Sequence, residues 1–247
     1  MILVDFNSKN DIWLSKTKEV ALEPSLPICD SHHHLWEFKN EFIQPKYLID
    51  DYIADINSGH NIKKTIFIEC GSMLRKDGPN HLKYIGETEF ANGIAAMSSS
   101  GKYGKTRVAS GIVSSAPLLE NNKKLLEVLN GHIMCAGKRF KGIRYQAAMH
   151  KNKLVYNSRV NPPDGIYNCQ IFRDNFKELY KLKLSFEAWC YHTQLNDLYD
   201  LAKSFPKTII ILNNFGGPIG IGPFKNKNKE VFDDWRISIK KLAQLKN

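Results

Sequence analysis

The chain has 247 residues, of which 43% are hydrophobic and 24% charged, so it can bury a substantial core and is neither disordered nor fibrous in composition. Its formal charge of +10 invites comparison with nucleic-acid-binding proteins. The basic residues are mostly lysines scattered in ones and twos, however, and the sequence carries no arginine cluster interleaved with aromatic residues, so we predict no nucleic-acid partner.

Short apolar runs bounded by turns alternate with helical stretches along the chain. Six runs rich in β-branched residues are predicted as buried strands, at residues 26–29, 65–70, 107–113, 140–144, 184–191 and 208–212. Six further stretches are predicted as helices, at residues 45–58, 81–99, 121–136, 172–181, 195–205 and 229–246. Six β/α units in this order predict an α/β fold with a parallel sheet, either doubly wound or a TIM-type (β/α)8 barrel.

The N-terminus and the cysteines indicate the compartment. The first residues carry no basic segment followed by a long apolar run, and the apolar window at residues 208–217 is too short to span a bilayer. The five cysteines are odd in number and widely spaced, which argues against a disulfide framework or a zinc ribbon. We therefore expect a cytoplasmic protein with reduced thiols and no membrane partner.

A run of histidines follows the first predicted strand, in the segment Cys29-Asp30-Ser31-His32-His33-His34-Leu35-Trp36. Because side chains alternate along a strand, His32 and His34 point the same way and His33 points to the other face. Imidazole nitrogens suit Zn²⁺ and related ions, and a catalytic zinc site has about three protein ligands and one open position. A run of surface histidines in a loop remains the alternative.

A third histidine, His192, directly follows the predicted strand at residues 184–191. It therefore lies at the carboxyl end of that strand, which is where the active sites of barrel enzymes are found. A single histidine after a strand is more often structural than catalytic. Together with the earlier pair, however, His192 favours a metal or catalytic site.

Three motifs of this sequence resemble those of the amidohydrolase-related family, which includes sugar-acid lactonases and pyrone-dicarboxylate lactonase. The motifs follow the first, fifth and sixth predicted strands, and they are the histidine segment above, Trp189-Cys190-Tyr191-His192-Thr193-Gln194-Leu195 and Ile211-Leu212-Asn213-Asn214-Phe215-Gly216-Gly217-Pro218. The stretches at residues 67–71, 77–79 and 139–144 fit the same family. The resemblance runs from about residue 27 to residue 247 and implies a TIM-type barrel.

The resemblance also implies roles for individual residues. His32 and His34 would be ligands of a divalent metal, with zinc the expected ion, or would polarise the substrate as in relatives that work without metal. His192 would be the third ligand. Such an ion activates water and polarises the carbonyl of a lactone. His192 would also belong to the catalytic residues.

Four further residues are candidate substrate contacts. Arg144 ends the fourth predicted strand and could clamp a substrate carboxylate through its bidentate fork, or form a salt bridge across the barrel mouth. Glu69 closes the second predicted strand and could bind the metal or Arg144. Trp189 and Tyr191, beside His192, would line the substrate site.

Two departures from the family pattern affect the expected chemistry. Members usually carry a histidine after strand six, and the residue here is Asn214, which can form hydrogen bonds at a catalytic position but cannot shuttle a proton near neutral pH. The family's active-site aspartate lies on strand eight, whereas six β/α units are predicted here. We therefore expect an N-terminal arm at residues 1–26 and, at residues 27–247, a barrel domain truncated before strands seven and eight.

The predicted function is that of a metal-dependent hydrolase that opens a lactone of a small acidic or sugar-derived substrate. Two alternatives stay open: a degenerate, non-catalytic member that binds a small acid, and a decarboxylase of the same superfamily. Whether the 247-residue chain is active alone is also open, because the strand-eight aspartate has no counterpart in it. An incomplete barrel leaves strand edges unpaired, so a homo-oligomer is a further expectation.

Overall fold

The structure is a computed structural model that describes residues 12–13, 15–17, 19–37 and 46–247. Six strands lie in these residues: β1 (Pro27–His33), β2 (Asn61–Ile68), β3 (Arg107–Ser115), β4 (Phe140–Gln146), β5 (Ser185–Trp189) and β6 (Ile210–Leu212). One helix follows each strand: α1 (Ile49–Ile56), α2 (Ile85–Ser99), α3 (Asn122–Ala136), α4 (Gln170–Lys181), α5 (Leu195–Ser204) and α6 (Asn228–Leu242). Short 3-10 turns include Asn80–Tyr84, His192–Gln194 and Asn213–Gly216.

The six predicted strands and six predicted helices are confirmed, with shifted ends. The first strand extends four residues beyond its predicted end, because it continues into the histidine run as far as His33, which pairs with Phe67 of β2. Strand β2 begins four residues before its predicted start, since its first half carries exposed lysines that an apolar pattern does not detect. Of the predicted helix at residues 45–58, residue 45 lies outside the described residues and the helix itself spans Ile49–Ile56.

The chain forms two compact units. The first consists of the described residues within Met1–Gly78, Lys83–Val113 and Met134–Phe140, and the second of Pro79–Leu82, Ser114–Ile133 and Lys141–Asn247. Within the first unit, β1 pairs in parallel with β2, and β2 with β3. Within the second, β4 pairs in parallel with β5, and β5 with β6. Strands that follow one another in the chain are thus neighbours in each unit, as β/α units require.

Helix α1 illustrates how the sequence builds the first unit. Its buried residues Ile49, Tyr52 and Ile56 are spaced so that they share one face of the helix. The N–H of Leu48 donates a hydrogen bond to the Asp51 carboxylate at 2.9 Å, and Asp50 adds a second negative charge to the first turn. The negative charges interact favourably with the positive end of the helix dipole. They therefore stabilise a helix that begins at Ile49.

The second unit is built around an aromatic cluster. Phe172 and Phe176 of α4 are one turn apart and fully buried, and both pack edge-on against Phe186 of β5 at ring-centroid distances of 6.0 and 4.9 Å. Phe176 also contacts Phe205 at 4.9 Å. Edge-to-face pairs at these distances add to the burial of apolar area. The cluster fixes α4 against β5 and thereby orients the opposite face of that strand.

Strands β4 and β5 approach very closely at Gly142. A Cβ atom built on this residue would lie 2.3 Å from the backbone oxygen of Ser185, which is far inside van der Waals contact. Two positions further along the register, and on the same face of the sheet, Arg144 pairs with Glu187. Only glycine at position 142 therefore lets these two strands pair at the spacing that the structure has.

No helix in the described ranges is both long and apolar enough to cross a lipid bilayer.

Replacing Phe176 by alanine should lower the free energy of unfolding by about 3–5 kcal/mol, because the fully buried ring leaves a cavity among three other rings. Phe232→Ala is the matched control, since Phe232 is also helical but 52% exposed. Urea unfolding followed by circular dichroism measures both variants. A loss for Phe176→Ala no greater than that for Phe232→Ala would contradict the assigned core.

Candidate functional site

His32 and His34 converge at the end of β1. Their Nε2 atoms lie 3.2 Å apart, and the two ring planes are nearly perpendicular, at 89°. Two nitrogens that bind one zinc ion at about 2.0–2.1 Å and at a tetrahedral angle are separated by roughly 3.3–3.4 Å. The spacing of this pair therefore fits two ligands of a single tetrahedral ion.

The ring of His34 is held in the tautomer that a metal requires. Its Nδ1 lies 2.8 Å from the backbone oxygen of Ile68 in β2. A carbonyl oxygen can only accept, so Nδ1 carries the proton and the neutral ring keeps its lone pair at Nε2. Metal-binding histidines are commonly oriented by a hydrogen bond of this kind.

His32 is positioned by the carboxylate of Asp30. The backbone N–H of His32 donates to Asp30 Oδ1 at 3.1 Å, and the hydroxyl of Tyr52 donates to Asp30 Oδ2 at 2.6 Å. Burial and this hydrogen bond raise the pKa of Tyr52 above its ordinary value. The tyrosine therefore stays protonated and keeps donating to the carboxylate that shapes the strand end.

His33 is separated from the pair. Its ring stacks on Tyr52 at a centroid distance of 4.3 Å and meets the edge of Phe67 at 5.8 Å. Burial lowers the pKa of His33 to about 4, so the ring is neutral near pH 7. The alternation predicted for the three histidines is thus present, and His33 packs into the first unit.

A second carboxylate shapes the loop after β2. Glu87 of α2 is buried, and its Oε1 accepts the backbone N–H groups of Cys70 at 2.8 Å and Ser72 at 2.9 Å. Burial and the nearby Glu69 raise the pKa of Glu87 above its usual range. Glu69, a candidate from the sequence, is itself 3% exposed at the end of β2. Glu87 was missed because an acidic residue in the first turn of a helix is ordinary in a sequence.

The second unit contains a buried cluster of three polar residues, of which the sequence analysis had identified one. Arg144 of β4 and Glu187 of β5 are direct partners in the strand register, so their side chains share one face of the sheet. Asn213 donates from Nδ2 to Glu187 Oε2 at 2.7 Å, and all three residues are buried. Arg144 was a candidate, whereas Glu187 and Asn213 were missed. A charged residue inside the apolar run at 184–191 was the available signal for Glu187.

His192 begins the 3-10 turn that follows β5, and it is 7% exposed. Its backbone N–H donates to the Gly217 carbonyl at 3.1 Å, and its Nδ1 accepts the backbone N–H of Ile219 at 3.3 Å. The ring also meets the edge of Phe224 at 5.0 Å. The loop after β6 therefore fixes the orientation of His192.

The remaining candidates surround this loop. The rings of Trp189 and Tyr191 are 5.8 Å apart, and the Tyr191 hydroxyl donates to the backbone oxygen of Tyr156. Asn214 is exposed, in a left-handed conformation with φ of 50°, which asparagine adopts more readily than most residues. At Gly217, also at φ of 50°, a Cβ would lie 2.7 Å from the Cys190 oxygen, so the loop needs glycine to approach β5.

The structure thus brings His32 and His34 together in the first unit, which also contains Glu69. The other candidates belong to the second unit, and they are Arg144, Trp189, Tyr191, His192 and Asn214. Across residues 12–13, 15–17, 19–37 and 46–247, no group of three or more His, Cys, Asp or Glu side chains could hold a metal ion. Within the described residues, the arrangement that fits a metal ion is the His32–His34 pair.

Replacing either histidine of the pair should weaken metal binding by more than about 100-fold, because each supplies one of the two converging nitrogens. The variants are His32→Ala and His34→Ala, and the control is His33→Phe, whose ring can keep the stack on Tyr52. Elemental analysis after dialysis against zinc, with circular dichroism to verify folding, measures the outcome. Equal zinc content in all three variants would indicate an incidental histidine run.

Glu87→Gln should become increasingly stabilising, relative to the natural chain, as the pH rises from about 5 to about 8. The folded-state pKa of this carboxyl is raised, so the folded protein binds the proton more tightly than the unfolded chain and loses stability as the proton leaves. Glutamine keeps the oxygen acceptor and has no charge. The difference should grow by at most about 1.4 kcal/mol per pH unit.

Glu89→Gln is the control for this pH series. Glu89 lies on the same helix but is exposed, and its hydrogen bond with Arg75 lowers the pKa of its carboxyl. Its contribution to stability is therefore constant between pH 5 and pH 8. An effect of Glu87→Gln that is independent of pH would show that the carboxyl is ionised throughout this range.

The comparisons with known proteins agree with this architecture. The chain matches no family model. It is 28% identical over 240 residues to the uncharacterized protein y4mH of Sinorhizobium fredii, with 90% of this chain and 71% of that protein covered.

Three solved structures are similar to the chain. An amidohydrolase from Burkholderia multivorans with bound zinc has a TM-score of 0.61 at 15% identity, with 88% of this chain and 66% of that chain covered. The amidohydrolase 2 of Bifidobacterium longum subsp. infantis has a TM-score of 0.52 at 15% identity, covering 90% and 71%. A candidate 2-pyrone-4,6-dicarboxylic acid hydrolase from Pseudomonas putida has a TM-score of 0.50 at 9% identity, covering 88% and 77%.

The chain spans 66% of the length of the Burkholderia protein. At these identities the similarity concerns the fold. The six parallel β/α units of this chain therefore have the α/β barrel fold of the solved amidohydrolases, in agreement with the fold that the strand motifs implied.

Proposed function

We propose that the chain is a metal-dependent hydrolase that opens a lactone, an ester-type C–O bond, in a small acidic or sugar-derived substrate. The observation that carries this proposal is the convergence of His32 and His34, whose Nε2 atoms are 3.2 Å apart at the carboxyl end of β1. The zinc bound by the similarly folded Burkholderia amidohydrolase supports the choice of ion.

In this proposal His32 and His34 hold a divalent ion, and zinc suits their nitrogen ligands. A bound ion would supply Lewis acidity toward a lactone carbonyl and toward water. The Ile68 carbonyl keeps the lone pair of His34 at Nε2, and Asp30 fixes the backbone at His32. The Ile68 carbonyl thus prepares His34 before any ion binds, whereas His32 would have to give up the Nε2 proton that it donates to His34.

Arg144 is the residue of the second unit that supports an acidic substrate. Arg144 presents a planar fork that matches a carboxylate, and it is 7% exposed on the face of β4 that it shares with Glu187. The Pseudomonas protein, whose name specifies a dicarboxylic acid, supports the same class of substrate. Trp189 and Tyr191 offer ring surface for the remainder of a small molecule.

A non-catalytic, acid-binding protein is the second candidate, and Asn214 is the observation that favours it. This residue occupies the position after β6 where the resembling family carries histidine, and its amide cannot transfer a proton. Such a protein would bind small acids without changing them. A decarboxylase is the third candidate and would release CO2 from the same kind of substrate.

The cysteines support a reducing, cytoplasmic location for this activity. All five are free thiols, and burial raises the pKa of the Cys70 and Cys190 thiols above the ordinary value. Buried, protonated thiols are unreactive structural groups.

The zinc-loaded chain should open the ring of galactono-γ-lactone or of pyrone dicarboxylate, and each opening releases a proton. Removal of the metal should lower the rate by about 100-fold or more, because Lewis-acid activation supplies several kcal/mol. A pH indicator follows the reaction after treatment with a chelator and after zinc is restored. His34→Ala is the control for the metal site, and His33→Phe should keep the rate.

The outcomes separate the three candidates. Lactone opening that needs zinc supports the hydrolase. Calorimetric binding of the corresponding acids without turnover would favour the non-catalytic protein, and CO2 release without ring opening would favour the decarboxylase. A rate that is unaffected by the chelator would contradict the role of the histidine pair.

A further inference from the structure

A cleft opens in the second unit between the last turns of α4 and α5, at the amino ends of β5 and β6. Its volume of about 430 Å³ is in the range of small-molecule sites. His192 and Asn214 follow the carboxyl ends of the same two strands. The cleft is therefore separate from the candidate functional residues of this unit.

The cleft combines positive charge with aromatic surface. Its lining includes three lysines and no acidic residue. The Lys207 ammonium lies 5.6 Å from the centre of the Tyr180 ring. The guanidinium of Arg173, on α4, lies 5.5 Å from the centre of the Phe205 ring. Charge and ring surface thus lie side by side, which suits a ligand with a negative group on an aromatic body.

The charge of the lysines is available to such a ligand. Lys177 pairs with Asp174 at 2.6 Å and Lys181 with Glu178 at 2.8 Å, each within α4 and three residues apart. Exposed ion pairs of this kind contribute little to stability, so these ammonium groups can exchange partners at small cost. Lys207 forms no ion pair with an acidic side chain of the described residues, and a ligand can use its charge without any exchange.

The helix ends do not need these lysines as hydrogen-bond donors. Lysines in the last turn of a helix often bond its final carbonyls. Here the backbone N–H groups of Leu182, Lys183 and Leu184 already donate to carbonyls in the last turn of α4, at 2.8–3.0 Å. The side-chain amide of Asn247 donates to three backbone oxygens at and after the end of α5, at 3.1–3.2 Å. The ammonium groups are therefore not engaged at the ends of the two helices.

We propose that this cleft is a second small-molecule site, which binds an aromatic anion: a planar ring that carries a carboxylate or a phosphate. The ring packs against Tyr180 and Phe205, and the negative group lies beside Lys207 and Lys181. A bare anion would leave the aromatic wall unused, and a neutral ring would leave the lysines unused. The inference does not depend on the proposed function, because the cleft shares no residue with the candidate functional site.

Calorimetric titration of the natural chain without zinc tests this combination of features. Adenosine monophosphate and benzoate each carry a ring and a negative group, whereas inorganic phosphate lacks the ring and adenosine lacks the charge. We expect at least one of the two ring-bearing anions to bind about 10-fold more tightly than phosphate and adenosine. The stronger of the two identifies the negative group as a phosphate or a carboxylate.

The titrations can also overturn the proposal. Phosphate that binds as tightly as both ring-bearing anions would show that the lysine charge alone is recognised. Adenosine that binds as tightly as both would show that the charge has no role. Absence of binding by both ring-bearing anions would show that the cleft is not a site for this class of ligand.

Exposed residues of the cleft allow the site to be located by mutation. Lys207→Gln and Tyr180→Ala should each weaken binding of the ring-bearing anion by about 10-fold, because one removes a charged contact and the other the ring. Tyr180→Phe keeps the ring and should retain binding. Lys203→Gln is the matched control, since Lys203 is an exposed lysine of α5 outside the cleft lining.

The control separates a defined site from general attraction to a basic surface. If Lys203→Gln weakens binding as much as Lys207→Gln, the ligand responds only to net charge and the proposal is wrong. Unchanged binding in both Lys207→Gln and Tyr180→Ala, with folding verified by circular dichroism, would place the ligand elsewhere on the chain and overturn the proposal as well.

Discussion

The hydrogen bond from His34 Nδ1 to the backbone oxygen of Ile68 joins the ends of two adjacent parallel strands. Its length of 2.8 Å depends on the register of β1 against β2, because a shift of one residue would turn His34 to the opposite face. The same bond determines which nitrogen of His34 faces His32. The pairing of the two strands and the orientation of the imidazole pair therefore depend on each other. The Asp30 carboxylate holds the end of β1, and the Glu87 carboxylate holds the loop after β2.

The sequence predicted most of the fold because the patterns it contains are periodic. Apolar runs and helical stretches alternate six times, and their order limits the topology to parallel strands with crossovers. The separation of His33 from its two neighbours also followed from strand geometry alone. The end of β1 did not, since polar histidines continue a strand that an apolar pattern would terminate at residue 29.

The features that the sequence did not indicate are those that depend on partners distant in the chain. Glu187 and Asn213 are 26 positions apart and form one hydrogen bond in the interior of the second unit. The orientation of the His192 ring likewise depends on the N–H of Ile219, 27 positions later. Residue type identifies a histidine as a candidate ligand, but only the hydrogen bond at its second nitrogen determines whether it presents a lone pair or a proton.

Gly142 constrains how this protein can change during evolution. Because a Cβ there would meet the Ser185 backbone at 2.3 Å, every substitution must separate β4 from β5 and with them Arg144 from Glu187. The adjacent Lys141 is exposed, and its side chain can be exchanged freely. Over evolutionary time the two neighbours should therefore drift at very different rates, and a lineage that loses the glycine should also lose the buried charges that depend on it.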